Sequence, residues 1–216
     1  MNPPQPDITS HKNRPPVPRT ARLRLVFGYL VFLLAFVVNA RTLAALPPDL
    51  SVAETLRQAF AWWALVLMAA GMLIRLWSAG TLLKITELAT DGPYALSRNP
   101  LYLGSFVAGV GLCDFVHSLP LLLLFVVSFA ATYRAQIRWE EDYLTRIHPK
   151  AFPEYVRRVA SFVPMRWNAD ALRGDFSALR LLRNKEMAHQ LFWLVMLLGL
   201  MAQAYLHSEG VGICLP

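Results

Sequence analysis

The sequence predicts an all-α, polytopic membrane protein with about five transmembrane helices, two of them joined as a tight hairpin, and a helical extension into the cytoplasm. Three observations carry this. The 216 residues are 56% hydrophobic and only 16% charged, with a mean hydropathy of +0.39, a composition too apolar for a water-soluble domain. The apolar residues gather in continuous runs without the strict alternation of barrel strands, and in lipid only helices or closed barrels satisfy the backbone. The basic residues fall almost wholly on alternate connections between those runs.

In chain order, residues 1–24 are rich in Pro and Arg with no apolar period and read as a disordered basic tail. Five apolar runs follow: Leu25 to Ala40, Ala59 to Trp77, Leu101 to Val116, Leu119 to Tyr133 and Leu191 to Leu206. The first reads as an uncleaved anchor rather than a secretory signal, because a long polar stretch precedes it. A sixteen-residue helix reaches about 24 Å into a hydrocarbon core of roughly 30 Å, so Arg24, Arg75 and Arg134 at the span ends are expected to snorkel. Only Asp114 to Ser118 separates the third and fourth runs, which forces their open ends to one side.

The net charge of +7 raises nucleic acid as a partner, but its distribution gives a simpler account. Of the 21 Lys and Arg residues, all but Arg41 and Arg57 fall on one side of the expected topology. By the positive-inside rule that side is cytoplasmic, and the C-terminal residues 207–216 face out. Cys113 and Cys214 allow one disulfide at most, and no Cys or His spacing matches a metal or haem site. The span from 25 to 206 reads as a single membrane domain.

Two cytoplasmic segments carry more polar pattern than connectors need. In Gly92-Pro93-Tyr94-Ala95-Leu96-Ser97-Arg98-Asn99-Pro100-Leu101-Tyr102-Leu103-Gly104, Asn99 suits an N-cap and Pro100 the first helical position. A helix N-terminus beside Arg98 and Tyr102 is an anion site in waiting. The plain alternative is a well-capped membrane helix, and Gly104, Ala108 and Gly111 equally suit close helix packing. The second segment, Arg134 to Leu144, continues the fourth helix beyond the membrane. There Glu140 falls on the apolar face with Phe129, Tyr133, Ile137, Leu144 and Ile147, and needs a partner: Arg98 or Arg158, or a cationic ligand group. Glu141 lies closer to Arg134 and Arg138. Further on, Phe152 to Val159 reads as an amphipathic interfacial helix. Phe176, Leu179 and Leu182 with Arg180, Arg183 and Lys185 form a basic amphipathic stretch suited to anionic headgroups.

In this order, Gly92-Pro93-Tyr94, Arg98-Asn99-Pro100-x-Tyr102-x-Gly104, Glu140-Glu141, and Tyr155 with Arg158 and Pro164 resemble the isoprenylcysteine carboxyl methyltransferase family and the related phospholipid methyltransferases. The resemblance covers residues 58–167. It implies an integral membrane enzyme that binds S-adenosylmethionine at the cytoplasmic surface and methylates a small lipophilic acceptor: a prenylcysteine-like carboxylate, or a lipid amine or thiol. By the same resemblance Tyr94, Arg98, Asn99, Pro100, Tyr102, Gly104, Glu140, Glu141, Tyr155 and Arg158 would hold the cofactor, with Arg98, Glu140 and Glu141 at the chemistry. Asn99 stands where the prenylcysteine enzymes carry His and looks more like the phospholipid methyltransferases. The implied partners are a lipophilic small molecule and membrane lipids, with no nucleic acid and no metal. The competing classes are a non-catalytic membrane scaffold or transport subunit, and a haem-bearing electron-transfer anchor.

Overall fold

A computed structural model describes residues 19–47, 50–82, 88–165, 169, 173–184 and 186–209. The expectations for residues 1–18, Trp167, Lys185, Cys214 and the rest of 210–216 lie outside the described residues. The helices are α1 (Arg19–Ala44), α2 (Val52–Ala59), α3 (Trp62–Thr81), α4 (Pro100–Phe115), α5 (Leu119–Ile147), α6 (Ala151–Arg158), α7 (Ala178–Arg183) and α8 (Glu186–Ser208), with a 3-10 turn at Gly92–Ala95 between α3 and α4. Helices α1, α3, α5 and α8 are long and apolar enough to cross a membrane, whereas α4 has 16 residues and is shorter. The chain is an integral, multi-pass membrane protein built wholly of helices among the described residues.

Two boundaries differ from expectation. Helix α1 begins at Arg19 rather than after Arg24: beyond Pro18, Arg, Leu and Ala are good helix formers and no proline breaks the run. Ahead of the second span stands α2, which hydropathy misses because it is short and polar. A capping box starts it: Glu54 N–H donates to Ser51 Oγ, and Ser51 N–H donates to the Glu54 carboxylate. Phe60, in extended backbone, then separates α2 from α3. Its ring stacks on Phe115 at 4.1 Å, and Ala61 N–H donates to Phe115 O at 3.3 Å. This elbow is thereby tied to the α4–α5 hairpin, whose sharp turn has His117 in left-handed backbone, φ 51°.

Helices α3 and α4 pack backbone to backbone. A Cβ at Gly71 would fall 2.4 Å from Ala108 N, one at Gly104 would fall 2.7 Å from Gly71 O, and one at Gly111 would fall 2.8 Å from Ala64 O. The line of small residues on α4 is therefore a packing seam, where glycine lets two helices approach more closely than any larger residue would.

Helix α8 runs parallel to α1, since Tyr29 meets Phe192 near their starts and Asn39 Nδ2 donates to Gln203 Oε1 at 2.7 Å near their ends. Near the start of α8, Arg75 of α3 meets Glu186. The Nε and Nη2 groups of Arg75 donate to the two carboxylate oxygens, each at 2.8 Å, and Nη1 donates to Leu101 O and Ser105 Oγ on α4. Gln190 Nε2 donates to the same carboxylate at 2.9 Å. Arg75 does not snorkel: at 7% exposure it is turned inward, because α8 brings a carboxylate from the C-terminal part of the chain against the last turns of α3. Arg134 remains exposed, as a snorkelling residue would. These contacts gather the N-termini of α1, α4 and α8 and the C-termini of α3 and α5 at one end of the bundle.

A buried charge left without its partner costs about 3–5 kcal/mol, more than the pair itself contributes. Glu186→Ala is therefore expected to lower stability by about that amount, whereas Arg75→Met/Glu186→Leu should cost clearly less. Reversible unfolding in mixed micelles measures both.

Candidate functional site

Residues 88–102 form one wall of a cleft at that end. Gly92 has φ +60°, a conformation open to glycine at little cost, and starts the 3-10 turn that buries Pro93 and Tyr94. Tyr155 of α6 locks this turn from behind, its Oη donating to Tyr94 O at 2.7 Å. The next residues lie along 160–162: Arg98 N–H donates to Ala160 O, Ser97 Oγ to Phe162 O, and Asn99 Nδ2 to Ser161 O. Asn99 occupies the N-cap position of α4, as its place before Pro100 predicts, but its side chain makes no capping bond. The amide is spent on Ser161, which leaves the first turn of α4 uncapped by a side chain.

The opposite wall is the extension of α5. Arg98 spans the two walls: Nε donates to Glu141 Oε1 at 3.0 Å, Nη2 lies 3.0 Å from the same oxygen, and Nη1 donates to Val156 O and Val159 O. Ser161 Oγ adds a third donor to that carboxylate oxygen at 3.1 Å. Glu141 is thus neutralised by Arg98 and not by Arg134 or Arg138, which point to solvent. The reason is long-range: the chain around 156–161 folds back and presents carbonyls that hold Arg98 against α5.

Glu140 has a different setting. Its Oε1 accepts from Tyr102 Oη at 2.5 Å and from Gln136 Nε2 at 2.7 Å. Neither Arg98 nor Arg158 pairs with it. Arg158 forms an exposed pair with Glu154 at 3.3 Å instead, and among the described residues no salt bridge reaches Glu140. Behind this carboxylate the Tyr102 ring meets Tyr133 edge-on at 5.0 Å, and Tyr133 stacks on Phe129 at 3.8 Å. Among the described residues the carboxylate therefore sits against aromatic surface with neutral donors only.

The cleft between the walls has a volume of about 330 Å³, at the small end for ligand sites. Of the residues singled out in the sequence, Tyr94, Arg98, Asn99, Pro100, Tyr102, Glu140, Glu141 and Tyr155 line it. Gly104 does not, since it lies in the α3–α4 seam, and Arg158 is exposed on the outer face of α6. Tyr143, Leu144 and Ile147 complete the wall: the apolar face read from the sequence holds Leu144 and Ile147 with Glu140 without assigning them to the site, and it leaves out Tyr143. With Glu140 they stand at i, i+3, i+4 and i+7, one helix face, so the signal was present in the spacing. Leu88, Ala89 and Phe152 close the cleft from other segments and carried no local signal.

Burial sets the tyrosines. Desolvation pushes the Tyr94 phenol well above its ordinary value of 10, with the nearby Tyr155, Glu140 and Tyr102 adding in the same direction. Desolvation likewise raises Tyr155, opposed in part by Arg98. Both remain neutral hydroxyls at any physiological pH. Among the described residues no three His, Cys, Asp or Glu side chains converge as a metal site.

The model of the phospholipid methyltransferase family matches residues 59–151. The nickel-cobalt-cadmium resistance protein NccN of Alcaligenes xylosoxydans xylosoxydans is 39% identical over 112 residues, 48% of this chain and 52% of that protein. The cobalt-zinc-cadmium resistance protein CzcN of Cupriavidus metallidurans is 38% identical over 81 residues, 38% of this chain and 37% of that protein. A protein-S-isoprenylcysteine O-methyltransferase of Schizosaccharomyces pombe is 31% identical over 78 residues, 36% of this chain and 33% of that protein. The matched stretches thus span about half or less of these relatives. No solved structure matches.

The buried phenols make a pH prediction. A phenol whose folded pKa is raised contributes stability that is full below its unfolded value, about 10, and is lost as pH rises above it. In an ultraviolet titration of the folded protein, Tyr94 and Tyr155 should stay protonated through the range where exposed tyrosines ionise, and should release their protons only on unfolding. Tyr94→Phe and Tyr155→Phe should each remove one late-titrating group.

Proposed function

We propose that this protein, whose residues 59–151 match the model of the phospholipid methyltransferase family, transfers a methyl group from S-adenosylmethionine to a small lipophilic acceptor. The observation that carries the reading is Glu140: a carboxylate with no basic partner among the described residues, held by Tyr102 and Gln136 on the wall of a largely apolar cleft. A carboxylate so placed offers a seat to a cationic ligand group, since an uncompensated charge against apolar surface gains most from one.

The residues present fit the cofactor. Bound, it would supply an electrophilic methyl group on a sulfonium. The N-terminal end of α4 suits its carboxylate through the helix dipole, although the Tyr102 and Leu103 N–H groups already donate to Asn99 O. Glu140 suits the ammonium or a ribose hydroxyl, and the rings of Tyr94 and Tyr102 suit a sulfonium. Leu144, Ile147 and Phe152 offer apolar surface to the base. Arg98 takes a different part from the one its position in the motif suggests. With its donors engaged by Glu141, Val156 and Val159, it is a positioning residue that holds the two walls together.

Alignment of acceptor and methyl donor and exclusion of water would supply much of the rate, because charge is dispersed as the methyl moves. A carboxylate or thiolate acceptor needs no general base. An amine acceptor needs one, and Glu140 is a cleft-lining carboxylate with no ion pair among the described residues. Asn99 in place of His favours a lipid acceptor over a prenylcysteine. The charge count supports a cytoplasmic position for this end of the bundle and for the chain's N-terminus. A second reading, a non-catalytic membrane component of a metal-resistance system, is favoured by the names of two relatives.

Purified protein in detergent should bind S-adenosylmethionine, and Glu140→Gln should weaken binding at least tenfold, about 1.4 kcal/mol, with Arg158→Ala as the neutral control. Transfer of label from radioactive cofactor into a lipid extract identifies the acceptor. Absence of binding to the wild-type protein would favour the non-catalytic reading.

A further inference from the structure

Residues 173–184 lie beyond the family match and support the cleft from outside. They are fastened to the last turn of α3. Ser177 N–H donates to Gly80 O at 3.0 Å, and Asn184 Nδ2 donates to Ala79 O at 2.8 Å. The Phe176 ring lies on Gly80, where a Cβ would fall 2.1 Å from the ring. Two residues earlier, the backbone of Gly174 rests on that of Gly92: a Cβ at 174 would fall 2.6 Å from Gly92 Cα. Gly92 opens the turn that carries Tyr94 into the cleft. Any force on this segment therefore reaches the cleft wall through a contact too close for side chains to cushion.

The segment also presents an outward apolar surface. Phe176, Leu179 and Leu182 are 50%, 56% and 63% exposed, at a spacing of three residues. This surface continues into Met187, Leu191 and Leu194 along the lipid-facing side of α8. The same segment carries Arg173, Arg180 and Arg183 against the single acid Asp175, which pairs with Arg180 at 2.9 Å, so its charge is net positive. A short apolar stripe flanked by arginines, at the membrane-entry end of a spanning helix, matches the boundary layer of an anionic lipid surface in both polarity and charge.

We infer that residues 173–183 form an interfacial brace that seats on anionic lipid headgroups, and that this seating holds the Gly92–Ala95 wall of the cleft in place. The occupant of the apolar and basic face is the bilayer surface itself, continuous with the lipid around α8. The inference does not depend on the reaction carried out in the cleft.

Hydrogen exchange of the full chain in nanodiscs of phosphatidylcholine, with and without phosphatidylglycerol, tests it. Anionic lipid should slow exchange at residues 173–184 and at the turn 92–96 together, by about fivefold or more, the effect of one arginine near a charged surface. Arg180→Glu/Arg183→Glu should abolish both changes, whereas Arg180→Lys/Arg183→Lys, which keeps the charge, should retain them and shows that the fold tolerates substitution there. Soluble glycerol phosphate should have no effect. Equal exchange at 173–184 in both lipids overturns the lipid recognition. Slowing at 173–184 without slowing at 92–96 overturns the brace.

Discussion

The ion pair between Arg75 and Glu186 is the constraint on which the functional end of this protein depends. Residues 111 positions apart place opposite charges where neither is solvated, and each then requires the other. Because Arg75 also donates to Leu101 O and Ser105 on α4, the pair joins α3, α4 and α8 at one level. Part of the cleft wall is attached near that level. Helix α4 begins just before Leu101, Gly92 of the 92–95 turn lies against Thr81 at the end of α3, and the segment leading into α8 closes against α3 there. A hydrophobic contact at this place would allow sliding, since apolar helices have little preference for one register over another in lipid. Bidentate geometry between a guanidinium and a carboxylate does not.

A second ion pair divides the labour of two adjacent glutamates. Arg98 and Ser161 satisfy Glu141, and through it the loop after α6 is bound to α5. Glu140, one residue earlier and about 100° around the helix, has hydroxyl and amide donors only among the described residues. The same dipeptide thus yields one carboxylate in an ion pair and one with none among the described residues. Such a difference between neighbours arises from environment alone, as the side chains are chemically identical. In the proposed reading, this difference is what offers a cationic ligand group its seat.

Much of this was legible in the sequence. Hydropathy located the spans, the short link Asp114 to Ser118 required a hairpin, and the Asn99-Pro100 start of α4 and the extension of α5 past Tyr133 follow from local pattern. These are properties of a few neighbouring residues, so one-dimensional reasoning reaches them. The capping box at Ser51 and Glu54 was equally local and was passed over only because α2 lacks an apolar run. The glycine line of α4 admitted two uses, cofactor cradle or helix seam, and only the facing residues Gly71 and Ala64 on α3 decide for the seam.

The partners of charged residues were the least legible. From the sequence Arg75 is a span-end residue and Glu141 a neighbour of Arg134 and Arg138, because those are the nearest candidates along the chain. The observed partners lie 111 and 43 positions away. The sequence by itself determined that this chain is a helical membrane protein, which end of it is basic, and which residue types gather there, since those follow from hydropathy, helical period and the cost of charge in lipid. Only the tertiary structure decided which arginine neutralises which glutamate, and which of the two carboxylates lining the cleft has no ion pair among the described residues. Ion pairing depends on distances of a few ångströms between distant segments, and no local periodicity encodes them.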